Sequence, residues 1–401
     1  MATETNLRIS PDELAGRRRR LLDHVAAERA HIAVLFGPVA VHYLTGISFI
    51  PTERPIAVVL GGDRVLALVP SLEREHVASM SEVVEVVAYA EYPGEEPPMR
   101  ILARVLTGDL GLGDRALAVD ADGYPSIYGY RGPRLSELLP DTRILNVKAL
   151  IEDTRLVKSA QELELLRVSS RWADGTHRHL QELVADGRNE VDVSTEASLR
   201  GSRDMVAGLG LDFDPKAWGS MPTTAGFRSQ IGANSAYPHA INRNLVMRRG
   251  DVLVTGASST VWGYRCELER TMFVGAPSDE QRRWFELMVG AQDTAFEAIR
   301  PGARCADVDR AVRAFVEREG VGDAWRHHVG HGLGMEIHES PFLDVGDDRE
   351  ILPGMVFSVE PGLYVPGLGG FRHSDTVAVT EDGIELMTRY PRDVDAMICA
   401  V

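Results

Sequence analysis

The chain has 401 residues, 44% of them hydrophobic and 25% charged, which is long enough for two cores at roughly 100–200 residues per domain and is neither a disordered nor a fibrous composition. Its 43 Lys and Arg stand against 59 Asp and Glu, and the net charge of −16 repels nucleic acid and anionic membrane. No apolar run approaches the roughly 20 residues of a membrane span, and the 3 cysteines, Cys266, Cys305 and Cys399, form neither a disulfide framework nor a CxxC pair.

The opening MATETNLRISPDEL lacks the apolar core of a signal peptide, so export is not expected and the cytoplasm is the expected location. Ser10 and Glu13 form a capping-box pattern ahead of Leu14, Leu21, Leu22 and Val25 at helical spacing, which predicts a first helix over 11–29. The basic run Arg17 to Arg20 falls within it and reads as a solvated helix face. Short apolar runs at Ile32–Phe36, Ile56–Leu60, Val65–Val69 and Ala116–Val119 alternate with turns and helical stretches, the pattern of an α/β domain.

The pattern changes near Ile144–Leu156. Ser159 with Glu162 opens a long amphipathic helix that stops at Asp186-Gly187. Strand-like runs at Asp251–Thr255 and Thr271–Val274 bracket a Gly-Tyr turn, helices are predicted over 278–299 and 305–319, and further strands over 355–360 and 375–380. This half reads as α+β with an antiparallel sheet, and the two domains are placed at 1–155 and 156–401.

Histidines and glutamates gather in four short segments of the second half. Imidazoles at His239, His327, His331 and His338 and carboxylates at Glu267, Glu269 and Glu360 supply proton donors and acceptors near neutral pH, as an acid/base hydrolytic site requires. The competing reading of each histidine is a core residue satisfied by hydrogen bonds. Gly330-His-Gly-Leu-Gly334 lacks the Lys-Ser/Thr of a P-loop and the strand–GxGxxG–helix setting of a dinucleotide site, so a nucleotide role is set aside.

The order Pro238-His239, Gly250-Asp251, Gly263-Tyr264, Glu269-Arg-Thr271, Gly330 to Gly334, His338-Glu-Ser-Pro341, Pro353 to Gly362 and Gly369-Gly-Phe-Arg372 with Asp375 to Thr380 resembles the creatinase, aminopeptidase P, prolidase and methionine aminopeptidase family over about 158–401. Tyr43-Leu-Thr-Gly46 and Glu53-Arg-Pro55 resemble its N-terminal domain less specifically. The resemblance implies an α/β creatinase-like N-terminal domain, an α+β pita-bread C-terminal domain and a homodimer.

Metal-dependent relatives hold two divalent ions on Asp, Asp, His, Glu and Glu. Carried over position by position, these fall on Gly256, Glu267, His331, Glu360 and Ser374, so two carboxylates are missing and one is a methylene longer. A two-metal clamp is therefore not expected, and no cofactor is; the alternative is a single ion on Glu267, His331 and Glu360.

Leu268-Glu-Arg-Thr271 is similar to the pattern of creatinase, a metal-independent member, as is ectoine hydrolase. That likeness implies His239 as the proton-transfer group with Glu269 and Glu360 gripping or attacking the carbon centre, His327, His331, His338 and Glu267 lining the pocket, and Arg54 binding a substrate carboxylate. The plainer reading of the carboxylates is ion pairing with Arg270 or Arg372. Arg265 stands where creatinase has a tyrosine, so creatine itself is not the expected substrate.

The expected activity is thus metal-independent hydrolysis of a C–N bond in a small carboxylate-bearing metabolite, a cyclic amidine, guanidino compound or amide. The rival enzyme is an Xaa-Pro dipeptidase or aminopeptidase with a reduced metal site, acting on a dipeptide-like substrate. The rival from another class is a catalytically silent binding protein.

Overall fold

The computed structural model describes residues 7–80, 84–216 and 221–401, so residues 1–6, where the first domain was placed to begin, lie outside the described residues. One compact unit is Ile9–Thr154 and the other is built from Arg155–Val401.

In the first unit Ser10 Oγ accepts from the Glu13 amide and starts the helix Pro11–Ala26. Arg17 corrects the expectation of a wholly solvated basic face: it is buried, its guanidinium lies 4.1 Å from the centre of the Tyr43 ring, and it donates to the Tyr43 carbonyl at 3.0 Å. A planar, weakly hydrated cation tolerates that setting because the ring face and the carbonyl replace water.

Six strands follow, β1 (Ala30–Leu35), β2 (Ala57–Gly61), β3 (Arg64–Pro70), β4 (Val84–Tyr89), β5 (Ala116–Val119) and β6 (Ile144–Asn146), in the order β4-β3-β2-β1-β5-β6. The β1–β2 and β2–β3 pairs are antiparallel and the others parallel. Their near-continuous apolar runs suit a sheet covered on both faces.

In the second unit the predicted capping box forms, Ser159 and Glu162 each accepting from the other's amide, and the helix Ala160–Leu183 follows. The other oxygen of Glu162 accepts from the Tyr264 hydroxyl at 2.8 Å, so the same cap steadies the Gly-Tyr turn. The helix Glu190–Leu209 is absent from the predicted elements. Its N-cap is Asn189, whose side chain accepts from the Val191 and Asp192 amides.

One sheet runs β18-β10-β8-β7, from β7 (Thr223–Gly226), β8 (Val252–Val261), β10 (Leu268–Val274) and β18 (Ile398–Cys399), with β9 (Tyr264–Arg265) folded onto β8. A second runs β12-β11-β13-β16-β17, from β11 (Gly330–Gly332), β12 (Glu339–Leu343), β13 (Val356–Val359), β16 (Asp375–Val379) and β17 (Ile384–Leu386). A hairpin of β14 (Gly362–Val365) and β15 (Gly369–Arg372) completes the strands.

The helices Ala160–Leu183 and Glu190–Leu209 pack on β8 and β7, and the helices Asp279–Ala298 and Cys305–Arg318 on β13 and β12. One apolar core, with Val193, Leu253, Met272, Phe285, Phe357 and Val377, runs through both halves. The expected architecture, an α/β domain followed by an α+β pita-bread domain, is the one observed.

The two sheets meet where Glu269 and Ser374 exchange both backbone hydrogen bonds at 3.0 Å. Beside that bridge the fully buried Arg270 donates to the Ser374, Pro391 and Tyr390 carbonyls and to Asp375 Oδ1 at 2.7 Å. Asp375 also accepts from Thr388 and Gln292, so neither ion is left short of partners. Removing one member of such a pair strands the other without water. Asp375→Asn is expected to cost about 3 kcal/mol of stability, read as a lowered midpoint in urea unfolding, while Lys148→Ala on the exposed surface changes it little.

Candidate active site

Glu267, His331 and Glu360 converge from three segments. Glu267 precedes β10 and is pinned by Thr376, whose Oγ1 accepts from its amide at 2.9 Å and donates to its carbonyl at 2.8 Å. His331 is the middle residue of β11 and Glu360 follows β13, the strand paired with it. His331 Nε2 lies 3.3 Å from Glu360 Oε1 and 3.8 Å from Glu267 Oε2, and ligand atoms from all three residues fall within 4.8 Å of one another. His331 Nδ1 faces the Gly332 carbonyl at 3.0 Å, which leaves Nε2 turned toward the carboxylates. Glu267 Oε2 and His331 Nε2 are both buried and make no hydrogen bond.

Glu269 stands differently. Both of its oxygens are engaged, Oε1 by Arg228 at 2.6 Å and Arg372 at 2.8 Å, and Oε2 by Arg372 Nε. That corrects the expectation of a carboxylate free to attack or act as base: the plainer reading, pairing with Arg372, is the observed arrangement, whereas Arg270 goes to Asp375. Glu269 lies opposite Gly256 in the β8–β10 ladder, and a Cβ added to Gly256 would sit 3.7 Å from Glu269 Oε1. The carboxylate of Glu269 thus adjoins the space that a side chain at 256 would enter.

Arg228 is a site residue that sequence reasoning missed. It and Ser229 both adopt left-handed backbone, φ +49° and +55°, a conformation costing roughly 1–2 kcal/mol for an L-residue. Glu190, fully buried at the start of its helix, offsets this by accepting from the Ser229 amide and hydroxyl and from the Leu245 amide. No Gly or Asn marks the turn, so the local sequence carries no sign of it.

The remaining predicted residues divide. His338 stacks on His331, ring centres 3.9 Å apart. His239 is exposed, and the preceding carbonyl of Pro238 accepts from Arg372 at 3.2 Å, which holds the Pro-His turn against the site. His327 is within electrostatic reach of Glu360 and Arg372, with its Nε2 at the Tyr364 hydroxyl and its Nδ1 at the His328 carbonyl, each at 2.8 Å. Tyr364 in turn accepts from Arg372 at 2.9 Å. Arg54, in the Ile9–Thr154 unit, is bound by Glu53 and Glu91.

Burial and the charges of Glu360 and Glu269 push Glu267 up to about 8. Burial also opposes ionisation of His331 and Glu360, but each outweighs it for the other: the close approach of His331 and the charge of Arg372 hold Glu360 down at about 2, and the close approach of Glu360 and the charge of Glu267 raise His331 to about 9. Left to itself, the trio therefore holds protons in place of a cation. One imidazole and two carboxylates with two orphaned buried atoms fit a single divalent ion. A second ion does not fit, because Gly256 has no donor and the Ser374 hydroxyl is taken up by Ser358 at 2.6 Å.

Residues 164–381 match metallopeptidase family M24 and residues 17–157 the creatinase/prolidase N-terminal domain. The chain is 28% identical over 378 residues to the Xaa-Pro dipeptidase of Pyrococcus furiosus, covering 94% of this chain and 97% of that one. Among solved structures it resembles dipeptidase PepE from Mycobacterium ulcerans, at TM-score 0.77 and 26% identity over 98% of this chain and 100% of that one. It also shares its fold with the X-Pro aminopeptidase of Thermotoga maritima, at TM-score 0.80 and 21% identity over 96% of this chain and 99% of that one. These likenesses do not support particular closeness to creatinase or ectoine hydrolase, nor the expectation that no metal is used.

The shifted groups make metal uptake pH-dependent in a definite direction. Below about pH 8 a divalent ion displaces protons from both Glu267 and His331, and above about pH 9 both ligands are already free. The apparent affinity for Mn²⁺ is expected to rise with pH by up to roughly a hundredfold per unit below 8 and to level off above 9. Calorimetric titration in two buffers of different ionisation enthalpy reads the accompanying proton release.

Proposed function

The chain belongs to metallopeptidase family M24, whose members hydrolyse C–N bonds, and from that premise we propose that it is a dipeptidase of the Xaa-Pro type working with one divalent ion on Glu267, His331 and Glu360. The observation that carries the reading is the pair of orphaned buried atoms, Glu267 Oε2 and His331 Nε2, beside Glu360. Such atoms cost stability unless a ligand completes them, and three protein N/O ligands with an open position are the form a catalytic metal site takes. When bound, the ion supplies a Lewis acid and lowers the pKa of a coordinated water.

The surrounding residues take roles consistent with their geometry. His239, exposed beside Pro238, stands ready to deliver a proton to the leaving nitrogen. His338 keeps the His331 ring in its plane by stacking. Arg228 gives one nitrogen to Glu269 and, half exposed, keeps its other donors clear of described partners, where they can meet a substrate carbonyl or carboxylate. A homodimer in the cytoplasm completes the reading.

A second reading has one observation in its favour. His331 and Glu360 neutralise one another at 3.3 Å without any ion, which suits metal-free acid/base hydrolysis of a small carboxylate-bearing metabolite. Elemental analysis separates the two. The dipeptidase reading expects about one divalent ion per chain after reconstitution, turnover of an Xaa-Pro dipeptide that chelation abolishes, and loss of both ion and turnover in His331→Ala. Undiminished turnover after exhaustive chelation would defeat it.

A further inference from the structure

We propose that Arg265 forms an anion-receiving subsite beside Glu267, where a carboxylate of the substrate is bound; the inference rests on the dipeptidase reading and extends it to substrate class. Arg265 ends β9, two residues before Glu267. The Tyr264 hydroxyl reaches Glu162 on the helix Ala160–Leu183, and buried Cys266 donates its amide to Ser169 Oγ of the same helix and sets its thiol against Ser169 and Ser170. Side chains along an extended chain alternate, so with Tyr264 and Cys266 turned to that helix, Arg265 shares the opposite face with Glu267, about 7 Å further along. Its amide donates to the Gly334 carbonyl at 2.8 Å, at the start of the turn that carries His338 over His331.

What sets Arg265 apart is that nothing holds it. Among the described residues its side chain makes no hydrogen bond and no ion pair, and its Nε is buried. The buried guanidiniums of this unit each have a carboxylate partner: Arg155 pairs with Glu336 and Glu339, Arg270 with Asp375, and Arg372 with Glu269. Glu336, whose charge reaches Arg265, is committed to Arg155 at 2.9 Å.

A guanidinium drawn partly out of water with no counter-ion is unfavourable in the free protein, and a bidentate carboxylate is the partner its fork geometry suits. The plain alternative, a solvated surface arginine, does not explain a buried Nε. The chain's net charge of −16 also repels an anionic substrate, so holding one at this site calls for an uncommitted cation near the bond to be cut. A dipeptide offers two such carboxylates, its C-terminus or the side chain of an acidic first residue.

The test begins with thermal melts, which need no turnover. Wild-type protein, Arg265→Met and Arg265→Gln are melted with glutarate and with glutaramide at matched ionic strength. Glutarate is expected to raise the wild-type midpoint above the glutaramide value, and the excess is expected to vanish in the variants. No excess in the wild type, or an excess that survives in Arg265→Gln, overturns the proposal; Arg265→Gln decides if Arg265→Met fails to fold.

Steady-state kinetics then locate the carboxylate. For Glu-Pro against Gln-Pro, and for Ala-Pro against its C-terminal amide, the variants are expected to lose about tenfold or more in kcat/KM on the charged member of one pair only. Convergence of the first pair assigns the subsite to an acidic side chain, and of the second to the C-terminus. Turnover in which neither pair converges also overturns the proposal. A wild type that binds glutarate through Arg265 but cleaves no dipeptide refutes the dipeptidase reading and leaves the anion subsite standing.

Discussion

The catalytic half depends on a salt bridge that takes no part in chemistry. Arg270 and Asp375 lie wholly out of water where the two five-stranded sheets meet, and such a pair is tolerable only because every donor and acceptor is satisfied. Arg270 follows Glu269 on β10, and Asp375 follows Ser374 at the start of β16. Locking the two strands together brings the carboxylates of Glu267 and Glu269, from one sheet, against His331 and Glu360, from the other. Thr376, next to Asp375, then clamps the Glu267 backbone on both sides. Site geometry is therefore a consequence of the seam, set by groups that never meet substrate.

Around that seam the carboxylates fall into two electrostatic classes. Glu269 is permanently neutralised by Arg372 and Arg228, while Glu267 and Glu360 have only His331 and a distant share of Arg372, 3.8 Å from Glu360. The vacancy of a side chain at Gly256 and the presence of Glu269 directly across the ladder belong together. The one carboxylate of this stretch of the β8–β10 hairpin stands on β10, across from a residue without a side chain, and guanidiniums hold it. The Ser374 hydroxyl closes on Ser358 in a fully buried pair, so it too is already partnered.

Much of this was legible in the sequence, and the parts that were not share a cause. The capping box of Ser159 and Glu162, the β8–β10 hairpin and the trio of Glu267, His331 and Glu360 all rest on local pattern or on residue order, which a linear reading captures. The fate of Glu269 depends on the register that sets it beside Arg372, about a hundred residues away. The partner of His327 was hidden for the same reason, because the hydroxyl it meets belongs to Tyr364 on β14. Arg228 was invisible because its left-handed turn is enforced by Glu190, buried beneath it, rather than by a residue type that favours the conformation. Even Arg17, in the longest described helix of the first unit, is buried by its contact with Tyr43, which periodicity does not reveal.

The loss of ligands and the gain of arginines can be weighed as one charge balance. With Glu267, Glu269 and Glu360 ionised and His331 neutral, these groups carry three negative charges against the two of Arg228 and Arg372 that pair with them. One divalent ion carries that sum from −1 to +1, whereas two ions would leave +3 in a buried, low-dielectric setting with no carboxylate at 256 or 374 to absorb it. The missing donors and the cations already resident in the chain both count against a second metal. The same argument favours an anionic substrate, because the metal-loaded site would then carry an unbalanced positive charge, and a carboxylate arriving with the substrate removes it.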